Sequence, residues 1–402
     1  MEKSRRRALF GVSIGHAAHD TWYGVAPVLL AALSSQMDIS NADIGLMLLF
    51  YQGLSSLSQP FFGRLAERVG GRVIGVAAIL WTTSTFSITL FAQTKWLLFL
   101  AIALAGLGSG AWHPQAAANA TLAGGERWGA TAAAIFFFGG TLGTAFLGSA
   151  FGGYLLANFG RHSLLIISAI TVLLALTVVR ASIPRWVDGG HSAKKSAGQQ
   201  RNGTMDGAFW RLLLILLLGT AFRSLAFNSL NTYVPKYQQD LGVSPATYGA
   251  LMSAFLFAAA VGGVVGSYLA DRIGLRRVLV GSVALAALFL VPFTQTQGLL
   301  SYVLLTMAGL LVGPSHTLFL VAGQRQFPQR VAMISGIFLG FTFVSGAGGA
   351  WLLGLWADRV GLATALGVLP WILLGAALCA FVGVPRGAAT GQKVSAEEEA
   401  TS

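Results

Sequence analysis

Apolar residues in this chain come in long runs, broken by short clusters of charge, glycine and turn residues. A helix needs roughly 20 apolar residues to cross the hydrocarbon core of a bilayer. Twelve runs of that kind lie at 8–33, 43–63, 73–93, 96–121, 129–157, 162–181, 208–235, 246–268, 278–295, 298–323, 331–356 and 363–384. The pattern predicts an all-α membrane protein of twelve transmembrane helices. The first run is too long for a cleaved signal segment and continues into polar residues where a small-residue cleavage site would stand. Between the sixth and seventh runs lies IPRWVDGGHSAKKSAGQQRNGTMDG, 183–207, which is polar, basic and rich in Gly and Ser, the composition of a flexible linker. The expected organisation is a six-helix bundle over 1–182, this linker, a second bundle over 208–385, and a disordered tail over 386–402.

Composition removes the soluble classes. Of 402 residues, 55% are hydrophobic and 10% charged, with a mean hydropathy of +0.69; soluble domains carry about 25% charged residues. The net charge of +12 does not form the basic face that nucleic acid requires. With the N-terminus inside, 21 of the 26 Lys and Arg fall in inner segments, so the positive-inside bias places both termini in the cytoplasm. The single cysteine, Cys379, permits neither an internal disulfide nor a cysteine metal site.

The two six-span blocks repeat one another. AGLGSGAWH, ending at His113, aligns with AGLLVGPSH, ending at His316, at an offset of 203, and ISNADIG from Ile39 aligns with VSPATYG from Val243 at an offset of 204. GRLAERVGGR, from Gly63 to Arg72, has its counterpart in GSYLADRIGLRR, from Gly266 to Arg277. Duplicated halves place a substrate path at their pseudo-two-fold interface, open to either side in turn.

At these residues the chain resembles the major facilitator superfamily, whose loop signature between the second and third spans runs G-x-L-A-D-R-x-G-x-R. Gly63, Glu67, Arg68, Gly70 and Arg72 stand in that pattern, with Glu67 at the usual Asp position. Asp271, Arg272, Gly274 and Arg276 form the second copy. The resemblance implies the major facilitator fold and a cytoplasmic gate at these residues, with a carboxylate paired to a neighbouring helix end or Arg. Within the superfamily, GHAAHD, Gly15 to Asp20, resembles the H-x-x-N-D of the fosmidomycin-resistance branch, with His19 in the Asn place. The stretch from Gly106 to Gly140 is similar to that branch's small-residue run, His-Pro-Glu-Ser and glycine-rich turn, with Gln115 replacing Glu and Ala116 replacing Ser. GSAFGG, Gly148 to Gly153, is similar to the ending of the superfamily's antiporter signature, with Ser149 in the Pro place.

Ionisable groups inside spans are costly and usually face a cavity, which makes them the map of function. His16 and Asp20 are four apart, hence on one helix face, and His19 is beside them. Asp20, with His16 and His19, is the expected proton-coupling group, since a carboxylate in low dielectric can load and release a proton. His113 and His316 hold matching places in spans four and ten, and Arg223 in span seven follows Asp20 by 203 positions. The resemblance implies that spans one, four, seven and ten line the central cavity. Trp22, Trp112, His113, Gln115, Arg223, Asn228 and His316 are the expected substrate contacts. Arg223 is either an anion-binding group or the permanent partner of Asp20. Gly139, Gly143, Gly148 and Gly152 in span five suit close helix packing.

No metal is expected, because four histidines and an Asp stand without a Cys, Met or carboxylate cluster. A nucleotide-binding GxxxxGK[ST] is lacking, so no cofactor is expected beyond the proton gradient. The sequence thus reads as a multi-pass inner-membrane secondary transporter, not an enzyme, whose partners are lipid, protons and a small molecule, without nucleic acid and as a monomer. The expected activity is proton-coupled export of a small organic or amphipathic compound such as a drug or phosphonate-like antibiotic. The alternatives are proton-coupled import of an organic anion and a non-transporting receptor or assembly factor.

Overall fold

The computed structural model describes residues 3–183, 207–327 and 330–385. Among the described residues the chain is helical without strands, and twelve long elements follow one another. They are α1 (Lys3–Leu33), α2 (Asn41–Val69), α3 (Gly71–Thr89), α4 (Lys95–Gly125), α5 (Thr131–Phe159) and α6 (Arg161–Ser182). The second set is α7 (Gly207–Asp240), α8 (Pro245–Ile273), α9 (Leu275–Gln295), α10 (Gly298–Gln326), α11 (Val331–Val360) and α12 (Leu362–Gly383).

Ten of the twelve are long and apolar enough to cross a membrane. The two that are not, α1 and α2, are just as long. They carry His16, His19 and Asp20, and Gln52, Ser55, Ser58 and Gln59, whose polarity lowers the hydropathy of segments that pack against other helices. The expected linker, apart from Ile183 and Gly207, and the expected tail from residue 386 lie outside the described residues.

Local sequence sets the helix ends. Ser40 opens α2 with a reciprocal capping box: its hydroxyl accepts the Asp43 amide at 3.1 Å while the Asp43 carboxylate accepts the Ser40 amide at 3.1 Å. Gly70, between α2 and α3, has φ 104° and ψ 136°, a conformation open to glycine and strained for other residues. Gly125 breaks α4 from α5 with φ 64°.

The chain divides into two compact units. The first comprises Met1–Gln199 with Asn228–Phe257 and Ala347–Ala365, so it takes in one end each of α7, α8, α11 and α12. Its interior is built on Val12, Ile79, Trp112, Phe136 and Val179, all buried. The second comprises Gln200–Phe227, Ala258–Gly346 and Leu366–Ser402.

Within the first unit, α1 and α5 approach along glycine. An added Cβ at Gly143 would fall onto the Ala17 carbonyl, at Gly148 onto the Thr21 carbonyl, and at Gly139 within 2.7 Å of the Ser13 carbonyl. Along this seam α5 widens into a π-helical stretch, Gly143–Phe151, where Thr144 donates to the Asp20 carbonyl at 3.2 Å and Ser149 to the Gly24 carbonyl at 3.3 Å. Gly152 meets side chains instead, with Val25 the nearest at 3.2 Å.

Candidate functional site

One carboxylate in the first unit is surrounded by three imidazoles. Asp20 Oδ2 lies 3.0 Å from His16 Nε2, Oδ1 lies 2.9 Å from His19 Nδ1, and Oδ1 lies 3.6 Å from His113 Nε2. The i, i+4 spacing on α1 supplies the first contact, and α4 brings the third ring across. His16 stacks on Phe136 with centroids 4.0 Å apart and meets His113 edge-on at 5.1 Å.

The hydrogen bonds behind the rings fix their tautomers. His16 Nδ1 is 2.8 Å from the Phe136 carbonyl and His113 Nδ1 is 2.9 Å from the Ser109 carbonyl. A carbonyl only accepts, so each Nδ1 carries a proton, and each ring turns Nε2 toward Asp20, as a lone pair when the ring is neutral and as a donor when it is protonated. His19 is the opposite case: Nδ1–H donates to Asp20, and Nε2 lies 3.2 Å from the Thr82 hydroxyl. With both rings neutral, two lone pairs face a carboxylate that has one imidazole donor. The cage is satisfied when a proton joins it, at 3.0 Å between His16 Nε2 and Asp20 Oδ2. It remains accessible, since the Asp20 and His113 side chains keep 19% and 29% of their surface exposed.

His16, Asp20 and His113 are also the described residues that could hold a metal ion, with one ligand atom from each within 4.8 Å of the others. The 3.0 Å contact is a hydrogen-bond length, and a proton satisfies it without an ion.

Below the carboxylate the site continues in hydroxyls and amides. Tyr23 and Tyr51 stack at 6.1 Å, and Gln52 donates to the Tyr23 hydroxyl at 3.2 Å and to the Asn228 carbonyl oxygen at 3.3 Å. Ser55 donates to Ser109 at 2.9 Å.

The second unit holds a buried cation. Arg223 on α7 is 6% exposed, donates through Nε to the Ser315 hydroxyl at 3.0 Å and lies 4.8 Å from the Phe227 ring centroid. His316, the residue after Ser315, is exposed on α10 within electrostatic reach of the guanidinium. Among the described residues no carboxylate pairs with Arg223. Its partners there include the Ser315 hydroxyl and the Phe227 ring.

The family model described as Major Facilitator Superfamily matches residues 13–239 and 216–402. The chain belongs to the Major Facilitator Superfamily. It is 30% identical over 369 residues to the fosmidomycin resistance protein of Escherichia coli (strain K12), covering 89% of this chain and 88% of that one. It is 26% identical over 360 residues to the uncharacterized MFS-type transporter YfnC of Bacillus subtilis (strain 168), covering 87% and 86%. In structure it resembles an inward-facing, unoccupied bacterial homolog of the human lysosomal transporter Spinster, with a TM-score of 0.76 at 17% identity, covering 95% of this chain and 97% of that one. This facilitator is a multi-pass inner-membrane transporter and not an enzyme.

The loop signatures of the facilitator take matched positions in its two halves. Gly70 and Gly274, 204 residues apart, have φ of 104° and 101°. Arg72 donates to the Ile183 carbonyl at 2.8 Å, and Arg276 donates to the Phe381 carbonyl at 2.6 Å while lying 4.2 Å from the Phe381 ring centroid. Each arginine ties the start of a third helix to the last helix of its own half. Asp271 pairs with Arg325 at 3.4 Å on an exposed surface. Gly63 sits 3.8 Å from Pro114, measured to an added Cβ, while Glu67, Arg68 and Arg272 are exposed and Arg272 lies 5.1 Å from the Tyr268 ring centroid.

Three expected cavity residues are placed in the packed interior instead. Trp22 has no exposed surface, donates to Thr83 at 3.2 Å and stacks on Phe86 at 5.2 Å. Trp112 has none either and stacks beside His19 at 6.1 Å. Gln115 is 3% exposed and accepts from Asn119 at 3.1 Å. An aromatic or amide in an apolar run has one sequence appearance whether it faces a cavity or a neighbouring helix. The residues that sequence reasoning missed are Thr82, Ser109, Tyr23, Tyr51 and Gln52. Ser109 and Tyr23 carried a usable signal, standing four before His113 and three after Asp20 on the same helix faces.

Proposed function

We propose that this transporter is a proton-coupled exporter of a small organic or amphipathic compound, a drug or a phosphonate-like antibiotic, working by alternating access. The observation that carries the reading is the imidazole cage. Asp20 faces two Nε2 atoms whose rings are fixed by backbone carbonyls, so gain and loss of one proton changes the interactions among α1, α4 and α5. Asp20 and His16 share that proton, His19 holds the carboxylate in place, and His113 senses its charge. The names of relatives support export: a fosmidomycin resistance protein and a multidrug resistance protein MdtG of Dickeya zeae (strain Ech586), the latter 23% identical over 291 residues. In this reading both termini are cytoplasmic and the loop signatures at Glu67 and Asp271 gate that side.

The unpaired guanidinium of Arg223, with His316 beside it, favours an anionic group on the substrate. It serves equally a proton-coupled importer of an organic anion, the second reading. Direction is read in inside-out vesicles with an acidified lumen, screened with phosphonates, carboxylates and lipophilic cations. The expected result is lumenal alkalinisation by one compound class, abolished by Asp20→Asn. An Asp20→Asn protein that still drives substrate against its gradient would remove Asp20 from the coupling role, and uptake driven in the opposite sense would establish the importer.

A further inference from the structure

The start of α2 is completed by a residue from the other half of the repeat. An α-helix begins with amides that have no intrahelical acceptor. In α2 the capping box satisfies Ser40 and Asp43, and the Ile44 amide makes the first intrahelical bond, to the Ser40 carbonyl at 3.1 Å. The amides of Asn41 and Ala42 are left over. Both donate to Asp358 at the end of α11: Asn41 N to Oδ1 at 2.8 Å and Ala42 N to Oδ2 at 2.9 Å. The Asn41 side-chain amide adds a third bond to Oδ1 at 2.9 Å. Among the described residues Asp358 makes no ion pair, so the positive end of α2 is its counter-charge.

A second tie lies beneath the first. The Tyr233 hydroxyl on α7 sits between the carbonyls of Ala350, at 2.8 Å, and Asn41, at 3.1 Å, and donates to either. Close helix approach brings them there. An added Cβ at Gly45 would fall on the Tyr233 hydroxyl and 2.8 Å from Trp351 Cα, and one at Gly354 would fall on the same hydroxyl and 2.7 Å from the Asn41 carbonyl.

The repeat supplies an internal control. At the same offset of 204, α8 also starts after a serine, and Ser244 accepts the Thr247 amide at 3.3 Å. Its Gly249, the counterpart of Gly45, likewise packs on α5, where an added Cβ would lie 3.1 Å from Gly153 Cα. But Pro245 stands at the Asn41 place and has no amide hydrogen to offer, and with Gly153 facing the Pro245 carbonyl as Gly354 faces that of Asn41, the residue equivalent to Asp358 is Ala157. Both helix pairs close-pack through glycine, and one alone carries the carboxylate clasp. The clasp is therefore not an inherited consequence of the packing.

We infer that Asp358 is a gating residue of the transport cycle: with Tyr233 it latches the end of the molecule where α2 begins and α11 ends. Halves that rock against each other must part at each end in turn. The latch must open and reform once per turnover, and its polar bonds are suited to that because Asp358 is exposed and water can replace each of them. The inference does not depend on what is carried or on proton coupling.

It is tested on the full chain in lipid nanodiscs, without substrate or gradient. Spin labels at Ser35→Cys and Val360→Cys, in a Cys379→Ser background, report the distance across this end by pulsed electron resonance. Asp358→Ala is expected to raise the ratio of long to short distances roughly fivefold, the effect of losing one helix cap. Tyr233→Phe, which keeps the buried ring and loses only the hydroxyl, should shift it in the same direction and decides the matter if Asp358→Ala does not fold. An unchanged distance distribution in the folded variants overturns the inference.

Discussion

At the scale of single residues, two main-chain carbonyls decide the chemistry of this transporter. The Phe136 and Ser109 carbonyls hold the Nδ1 protons of His16 and His113, and thereby commit both Nε2 atoms to Asp20. At Arg223 the same kind of commitment is made by Ser315, which occupies Nε and leaves the terminal amino groups without a carboxylate partner among the described residues. Lysine would keep the charge but lose both the Nε bond and the planar fork. Arg223→Lys should therefore weaken binding of a phosphonate or carboxylate roughly tenfold, the worth of one charge-assisted hydrogen bond, with little effect on a lipophilic cation. Isothermal titration of each class with purified protein checks this, and equal losses for anion and cation would speak against an anion-binding role. The i, i+4 pair of His16 and Asp20 was legible in the sequence because helix periodicity alone puts it on one face. The carbonyls were not, since every residue has one and only tertiary structure says which faces a ring. Trp22 and Trp112 misled for a related reason: their chemistry suits a substrate pocket and a helix interface alike.

At the scale of elements, the seam between α1 and α5 is what brings the Phe136 carbonyl to His16. Gly143 and Gly148 let the two backbones meet, and the π-helical stretch turns Thr144 toward the Asp20 carbonyl. A branched side chain at Gly143 cannot be accommodated by rotamer change, because the obstacle is the Ala17 backbone. Gly143→Val should destabilise the protein by about 1–3 kcal/mol or more through overpacking. It should also disturb the cage, so that thermal unfolding in detergent and proton-coupled flux both fall. A variant with an unaltered unfolding midpoint would show that the seam can open without cost. Run length and hydropathy made the helices themselves readable, including α1 and α2, whose polar content places them outside a purely apolar criterion. What those signals could not supply was the partner of each helix, which is why the glycine spacing pointed to close packing without naming α1.

At the scale of the whole molecule, duplication leaves matched geometry in both halves, with different chemistry at some of the matched places. Gly70 and Gly274 have nearly equal φ, 104° and 101°, and nearly equal ψ, 136° and 135°. Arg72 and Arg276 each bind a carbonyl of their own half's last helix. Against that background Asp20 and Arg223 carry opposite charge at related positions, and Asp358 has Ala157 as its counterpart. The conserved geometry and the divergent chemistry call for different tests. At φ near 100° an L-residue is strained wherever it stands, so Gly70→Ala and Gly274→Ala should each cost about 1–3 kcal/mol. The two costs should be similar because the backbone conformations are. No Cβ clash complicates Gly274, where an added Cβ has nothing within 4 Å. The two glycines belong to different compact units, which makes their effects additive in the double variant if the units respond independently. Denaturant unfolding of both single variants and the double variant measures this directly. Unequal single costs would mean that the matched dihedrals conceal different surroundings. A double cost short of the sum would mean that strain in one unit is relieved through the other, the coupling that an alternating-access transporter needs between its halves.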